Sequence, residues 1–331
     1  MEEPEGSRTV AVLIAAYNSA ATVGRAVRSA LAQPEALNVL VVDDASSDDT
    51  ADAARAMDDG SGRLVVIRQA RNGGPSAARN RALRHVTADW ITVLDADDYM
   101  LDGRLGRLLD HAAGADLIAD DMYQVASPDA PVGATLLDGT LPLPTDVSLS
   151  DFILSNVTRK RVVRKELGFI KPLIRASRFT GAGLRYDESL RLGEDFDLYC
   201  RLMAAGARLR LVPACGYVAV TRPDSLSARH SIHDLEQFRR ANRSIRSIPG
   251  LPPDVVAALD AHYTSVDCRL QWRNMIEAVK SRDLRAAART FTSVPVGLHL
   301  AGQLLNEAAF RSSARFRRPP VRTGTAAGGG R

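Results

Sequence analysis

The chain has 331 residues, 45% hydrophobic and 25% charged, with 43 Lys+Arg against 39 Asp+Glu for a formal net charge of +4. That balance suits a soluble enzyme with a sizeable core, and the basic excess is too small to argue for nucleic acid. Aromatics are only 5% of the chain and no RNA-type aromatic motif occurs, so no nucleic-acid partner is expected. A mildly basic surface suits anionic donors or lipid headgroups instead.

The first hundred residues alternate two patterns. TVAVLIA (Thr9 to Ala15), NVLVVDD (Asn38 to Asp44), RLVVIR (Arg63 to Arg68) and WITVLD (Trp90 to Asp95) are short β-branched apolar runs. Stretches of helical spacing separate them: Ala20 to Ala32, Thr50 to Met57 and Ser76 to Val86. Buried strands alternating with helices predict βαβ units and a parallel sheet covered on both faces, hence an α/β fold. Ligands bind at the carboxyl ends of such strands. Each of the four strand ends carries a polar cluster: AAYNSA, DDASSDDT, ARNGGPSAARN and DADD.

Residues 116–150 read as an irregular connection or a long-armed hairpin, followed by a short helix over Asp151 to Lys160. RKELGFIKPLIR is basic and turn-rich. GEDFDLYCRLMAAGA gives the best helix signal of the second half, with Gly206 as its C-cap. RLRLVP and YVAVTR then read as strands. The pattern past Ser231 is helical and ends in an Arg-rich, then Gly-rich segment with the composition of a disordered tail.

Cys200, Cys215 and Cys268 have no C-x-x-C spacing and read as reduced thiols of a cytosolic protein. No apolar h-region opens the chain and no run approaches the roughly 18 apolar residues of a spanning helix, so neither a secretory signal nor a membrane span is expected.

Several clusters have both a bland reading and a chemical one. DADD is either a solvated turn or a hard-cation site in which Asp95, Asp97 and Asp98 meet Mg²⁺ or Mn²⁺ beside a diphosphate. In VVDDASSDDT, Ser46 or Ser47 reads as a helix N-cap with Asp48 and Asp49 favouring the helix start. Asp43 and Asp44 lie earlier, at the sheet edge, where a carboxylate can accept from a base N–H or a ribose hydroxyl. RNGGPSAARN combines a turn at Asn72 and Gly73, permissive backbone at Gly74, and Arg79 one helical turn on, able to point back at the site. No G-K-[ST] follows, so it is not a Walker loop. Glu194 and Asp195 start a helix, and either complement its macrodipole or supply a general base. No H-E-x-x-H and no G-x-S-x-G occurs.

In this order and spacing, AAYNSAATVGRAVRSALAQ, VVDDASSDDT, RNGGPSAARNRAL, VLDADDY and LGEDFDLYCRLMAAGARL resemble the inverting family 2 glycosyltransferases of GT-A fold. The stretch LGFIKPLIR…YDESLRLGEDFDLY is further similar to bacterial exopolysaccharide glucosyltransferases of the succinoglycan type. The resemblance implies a Rossmann-like sheet with flanking helices over residues 9–230, divided into a nucleotide-binding half (9–115) and an acceptor and catalytic half (116–230). Residues 1–8 would be a flexible start, 231–312 a C-terminal helical extension and 313–331 a disordered basic tail.

By the same resemblance, Ala16 and Tyr17 would line a uracil pocket, Asp44 or Asp43 would bond the ring, and Arg79 would brace the base or diphosphate. Asp95, with Ala96 beside it, would contact ribose, Asp97 a metal with Asp98 in support, and Asp195 would be the base with Glu194 beside it. Arg222, Ser225 and Ser227 resemble a segment that closes over the diphosphate, although this chain lacks the usual basic residue before Asp224. His230 and His233 read as surface histidines. The implied reaction moves a hexose, such as glucose, from a UDP-sugar to a saccharide or lipid-linked oligosaccharide. It would need Mg²⁺ or Mn²⁺ and would run in the cytoplasm. Helices beyond Ser231 either pack on the core or touch the inner membrane surface. A sugar nucleotidyltransferase and a degenerate non-catalytic scaffold are the competing readings; AAYNSA in place of a Gly-rich loop speaks against the first, and intact acids at DADD and GED against the second.

Overall fold

Val10, Ala11, Val12 and Leu13 are fully buried, as a strand must be when it is paired on both edges and covered on both faces. They belong to β1 (Val10–Ala16), which is followed by α1 (Val23–Leu31), β2 (Ala36–Asp43), α2 (Thr50–Arg55), β3 (Leu64–Arg68), α3 (Gly74–Leu83) and β4 (Trp90–Val93). The structure is a computed structural model and describes residues 8–157, 166–221 and 231–316. β1 pairs in parallel with β2 from Ala11↔Asn38 to Ala16↔Asp43, and with β4 from Val10↔Trp90 to Leu13↔Val93. β2 pairs in parallel with β3. Helix α1 buries Val23, Ala26, Val27, Ala30 and Leu31, the i, i+3, i+4, i+7, i+8 stripe of a helix laid on a sheet. Its first turn starts three residues later than the sequence pattern suggests, because Ser19 O accepts from both Thr22 N and Val23 N in a preceding turn.

Past β4 come β5 (Tyr99–Met100), α4 (Arg104–Leu109), β6 (Leu117–Asp120), β7 (Tyr123–Val125), β8 (Thr145–Val147) and α5 (Leu149–Ser155). A short 3-10 turn over Leu167–Phe169 leads into β9 (Leu173–Arg175) and α6 (Ser177–Ala182), then α7 (Glu194–Ala204), β10 (Leu209–Val212) and β11 (Tyr217–Val220). The main sheet has eight strands in the order β3-β2-β1-β4-β9-β6-β10-β8, and β5-β11-β7 form a second, smaller sheet. The expected parallel sheet is therefore mixed: β6 and β10 also pair in parallel, but two strands of the second half are reversed. β9 runs antiparallel to both β4 and β6, and β8 antiparallel to β10. The irregular region 116–150 resolves into three short strands that serve two different sheets. Strand order reverses at β1 and β4, which opens the crevice where doubly wound sheets bind ligands.

Helices α8 (Ile232–Arg246), α9 (Pro253–Lys280), α10 (Leu284–Arg289) and α11 (Val294–Phe316) follow. Ser231 caps α8 in a capping box with Asp234. Backbone packing divides the chain into two units, Met1–Val266 and Asp267–Arg331. The first unit takes in α8 and the start of α9: Phe196 of α7 stacks on His262 with centroids 4.4 Å apart and meets Phe238 edge-on at 5.5 Å. The packing thus divides well past Ser231, where the sequence pattern changes. In the second unit Met275, Val296 and Leu300 form a small core with Cys268, Trp272 and Ala287 against it. Among the described residues no helix is long and apolar enough to cross a membrane. The three cysteines are free thiols.

Candidate active site

Two buried cations bind the fourth strand end to the start of α7. Arg79 Nη1 donates to Glu194 Oε1 at 2.7 Å and to Asp195 Oδ1 at 3.1 Å, while its Nη2 donates to Asp95 Oδ1 at 3.0 Å. Lys171 Nζ lies 2.7 Å from Asp195 Oδ2 and 3.0 Å from Asp95 Oδ2. Asp95 and Asp195 are thus bridged twice, once by a guanidinium and once by an ammonium. Charges buried this deeply persist only when paired and hydrogen-bonded, and here each cation carries at least two acids. Burial works against the charge on Lys171, but Asp195 and Asp95 outweigh it and hold the ammonium well above its ordinary range. Desolvation pushes Asp95 up, yet Lys171 and Arg79 leave its carboxyl below the usual carboxylate range. For Glu194 burial wins over Arg79, so its carboxyl is raised.

Each member is held from outside the box. Arg79 lies 5.3 Å over the buried ring of Tyr186. One turn-neighbour of Arg79, Asn80, accepts from Tyr186 N at 3.0 Å and donates to Tyr186 O at 2.9 Å, and Ser76 Oγ donates to Leu190 O at 2.8 Å. Those bonds fix α3 to the segment entering α7. Lys171 is carried by the three-residue link between the Leu167–Phe169 turn and β9. Arg104 Nη2 donates to Lys171 O at 2.7 Å, and Tyr199 OH donates to Ile170 O at 3.2 Å.

The other expected residues fall into two groups. Asp44 Oδ1 accepts from Gly73 N at 2.8 Å and Gln69 Nε2 at 2.6 Å, and its Oδ2 accepts from Gly74 N at 2.7 Å. Asn72 Nδ2 donates to Asp44 O. Asp44 therefore caps α3, a favourable place for a carboxylate. Asp43 Oδ1 accepts from Ser46 N and its Oδ2 lies 3.4 Å from Arg68. Ala16 is buried at the strand end and Tyr17 stands 52% exposed at the rim.

The expectation that Ser46 or Ser47 caps α2 is corrected. Asp49 occupies the cap position and Asp48 Oδ1 accepts from Thr50 N, because both serines are spent elsewhere. Ser46 Oγ accepts from Asn18 N, and Ser47 donates to Asn18 Oδ1 through N and Oγ. The loops after β1 and β2 are sewn together this way, with Asn18 in the left-handed region at φ 49°.

The three acids of DADD do not face one point. Asp95 meets Arg79 and Lys171 on its two oxygens. Asp98 is buried and accepts from Tyr217 OH at 2.8 Å and Val220 N at 2.9 Å, which ties the fourth strand end to the small sheet. Burial, with Asp95 and Asp97 adding negative charge, pushes its carboxyl to about 7. Asp97 is half-buried, and its carbonyl accepts from Arg25 Nη2 at 2.7 Å. Among the described residues no three His, Cys, Asp or Glu converge as a closed metal cage. The donor set fits an octahedral hard cation that takes one or two carboxylates and completes its shell from water and substrate phosphate. Arg222, with Ser225, Ser227 and His230, lies outside the described residues, as do residues 1–7 and 317–331; His233 is exposed.

Sequence reasoning missed Lys171, the second bridge. Its signal was a single lysine inside the apolar run GFIKPLI, just before Pro172. It also missed Tyr217, whose OH accepts from Asp95 N at 3.2 Å as well as donating to Asp98.

A doubly wound sheet with loaded strand ends at its switch point and a carboxylate beside the crevice defines an α/β protein with a ligand crevice at its strand ends. Residues 11–132 match the Glycosyl transferase family 2 domain. Succinoglycan biosynthesis protein ExoU of Rhizobium meliloti is 44% identical over 268 residues, covering 81% of this chain and 78% of that protein. ExoO of the same organism is 32% identical over 315 residues, covering 94% and 88%. The crystal structure of Staphylococcus aureus TarS 1–349 in complex with UDP-GlcNAc superposes with a TM-score of 0.58 at 19% identity, over 85% of this chain and 90% of that one. The chain belongs to glycosyl transferase family 2, is related to succinoglycan biosynthesis proteins, and has the GT-A fold. It is a glycosyltransferase, and the nucleotidyltransferase reading falls away.

Proposed function

We propose that the chain transfers a hexose, glucose or a near relative, from a UDP-sugar to a saccharide acceptor, inverting the anomeric centre. The acceptor would be a lipid-linked oligosaccharide of exopolysaccharide synthesis, met on the cytoplasmic side. The observation that carries this reading is the double bridge of Asp95 and Asp195 by Arg79 and Lys171 at the carboxyl ends of the sheet. It puts a strand-end acid suited to the donor within one cation's reach of an acid suited to the acceptor.

The uracil would stack on Tyr17, with Asp44 Oδ2 accepting from the ring N–H. That oxygen takes one bond from Gly74, and a carboxylate oxygen has room for two. Asp95 would accept from a ribose hydroxyl while its charge remains balanced by Arg79 and Lys171. Asp97, with Asp95 behind it, would hold Mg²⁺ or Mn²⁺ beside the diphosphate; when bound, that cation offsets the charge on the leaving group.

Asp195 acts as general base. The acceptor oxygen forms its bond to the anomeric carbon as the carbon–phosphate oxygen bond breaks, the electron pair leaves with UDP and the hydroxyl proton passes to Asp195. Attack from the face opposite the leaving group turns an α-linked donor into a β-glycoside. Arg79 and Lys171 fix the rotamer of Asp195, so little reorganisation is needed at the moment of transfer.

Two measurements test this. In a screen of UDP-, GDP- and dTDP-sugars with Mg²⁺ or Mn²⁺, turnover is expected with UDP-hexoses and is lost on chelation; turnover restricted to GDP- or dTDP-sugars overturns the donor. Asp195→Asn should keep the thermal shift given by UDP and metal yet lose transfer by at least about 10²-fold; retained transfer removes Asp195 from the role.

A further inference from the structure

Helix α11 is apolar on two opposite sides. Val296 and Leu300 face the small core of the second unit and are fully buried. On the other side Val294, Leu298 and Leu305 are 76%, 72% and 71% exposed, and Ala301 is exposed between them. Positions 294, 298, 301 and 305 follow i, i+4, i+7, i+11 spacing, so they form one straight stripe. Phe291, itself 50% exposed, packs over Gly297 and widens the stripe at its start. A helix apolar all round is normally covered on every side, so this stripe lacks its cover.

The segment leading into α11 is positively charged. Arg282, Arg285 and Arg289 are exposed in the turn before α10 and along α10, and Leu284 beside them is 83% exposed. Two of the nearby acids are occupied: Asp283 accepts from Ala286 N to cap α10, and Glu277 pairs with Lys280 at 2.9 Å. After Glu307 the sequence adds six arginines and no acid.

We propose that this face of α11, with the arginines of α10, docks on the surface of an anionic phospholipid bilayer. The stripe inserts among the acyl chains at the headgroup boundary, as interfacial amphipathic helices do, and the arginines meet lipid phosphates. Area decides against a second copy of the chain. Twelve residues of helix by one side-chain width give roughly 200 Å², far below the ~800 Å² per partner of a stable protein interface. A bilayer needs no such area, since it deforms around a narrow apolar strip. The inference stands on the second unit alone and does not depend on the donor or the base proposed above.

The full chain is sedimented with vesicles of phosphatidylcholine, and with vesicles of equimolar phosphatidylcholine and phosphatidylglycerol. Binding is expected only to the second, weakening as salt rises. The double variant Leu298→Glu/Leu305→Glu should lose binding at an unchanged melting temperature, since both side chains are exposed. Arg285→Ala/Arg289→Ala, which leaves the stripe intact, should lower the partition coefficient roughly fivefold per arginine. Equal partitioning of wild type and both variants, or no binding to anionic vesicles, overturns the proposal. So does sedimentation velocity showing a wild-type dimer that the leucine variant dissolves, which would give the stripe to a second copy.

Discussion

Lys171 is buried and shares its charge with two carboxylates, so its replacement is informative. Lys171→Met leaves Asp95 and Asp195 leaning on Arg79 alone. Losing one partner of a buried pair costs about 3–5 kcal/mol, and a drop in melting temperature of several degrees is expected. The functional signature is separate: kcat for transfer should fall tenfold or more while the KM for donor changes little, because the tether on Asp195 is lost and the uracil wall is untouched. Lys171→Arg should recover part of kcat. A variant whose donor KM rises with kcat unchanged would put Lys171 on the donor alone. The acids it serves were legible in the sequence, since Asp95 closes a strong strand pattern and Asp195 opens a strong helix pattern. Lys171 was not. It sits before a three-residue strand, too short for any periodicity to show, and its sequence neighbours are loop-like.

At the scale of elements, α3 is the part most clearly made for position. Its N-terminus is fixed by Asp44, and its body by Ser76 and Asn80. Asp44→Ala removes a cap worth about 1 kcal/mol together with the proposed base contact. The expected outcome is a several-fold rise in donor KM with a modest loss of stability, read by donor titration and urea denaturation. Gly73 bears on the same turn from the steric side: a Cβ there would lie 2.8 Å from Ala77 Cβ, so a larger residue at 73 must shift the start of α3. The Rossmann-like first half of the fold was readable because β1, β2 and β4 are largely buried on both faces and each connection carries turn residues. The second half was not, since β6 to β9 are three or four residues long and their pairing is decided by partners far away in sequence. The reversal of β9 and the placing of Asp49, not a serine, at the α2 cap are both cases of tertiary demand overriding local signal.

For the molecule as a whole, Arg104 and Asp120 form the deepest joint. Both are buried to within 1%. Asp120 Oδ2 accepts from Cys215, Gly216 and Tyr217 N–H, and Arg104 donates both to Asp120 Oδ1 at 2.7 Å and to Lys171 O. One ion pair thus joins α4, the end of β6, the turn between β10 and β11, and the residue that bridges Asp95 and Asp195. Arg104→Met should destabilise the chain by about 3–5 kcal/mol, measured by denaturant unfolding. Transfer activity should be lost at temperatures where the variant is still folded, because the backbone of Lys171 loses its anchor; full specific activity in the folded variant would refute that link.

The seam of hydrogen bonds between the Asn18 and Ser46–Ser47 loops has a practical meaning for anyone wishing to retailor this enzyme. The wall proposed to meet the nucleobase is fastened by its own set of bonds, while the acids proposed to do the chemistry are fastened by Arg79 and Lys171. Those two fastenings can be exchanged separately. Grafting the paired loops together from a relative of different nucleotide preference should change which donor is accepted and spare the catalytic centre, whereas grafting either loop alone breaks its stitches to the other.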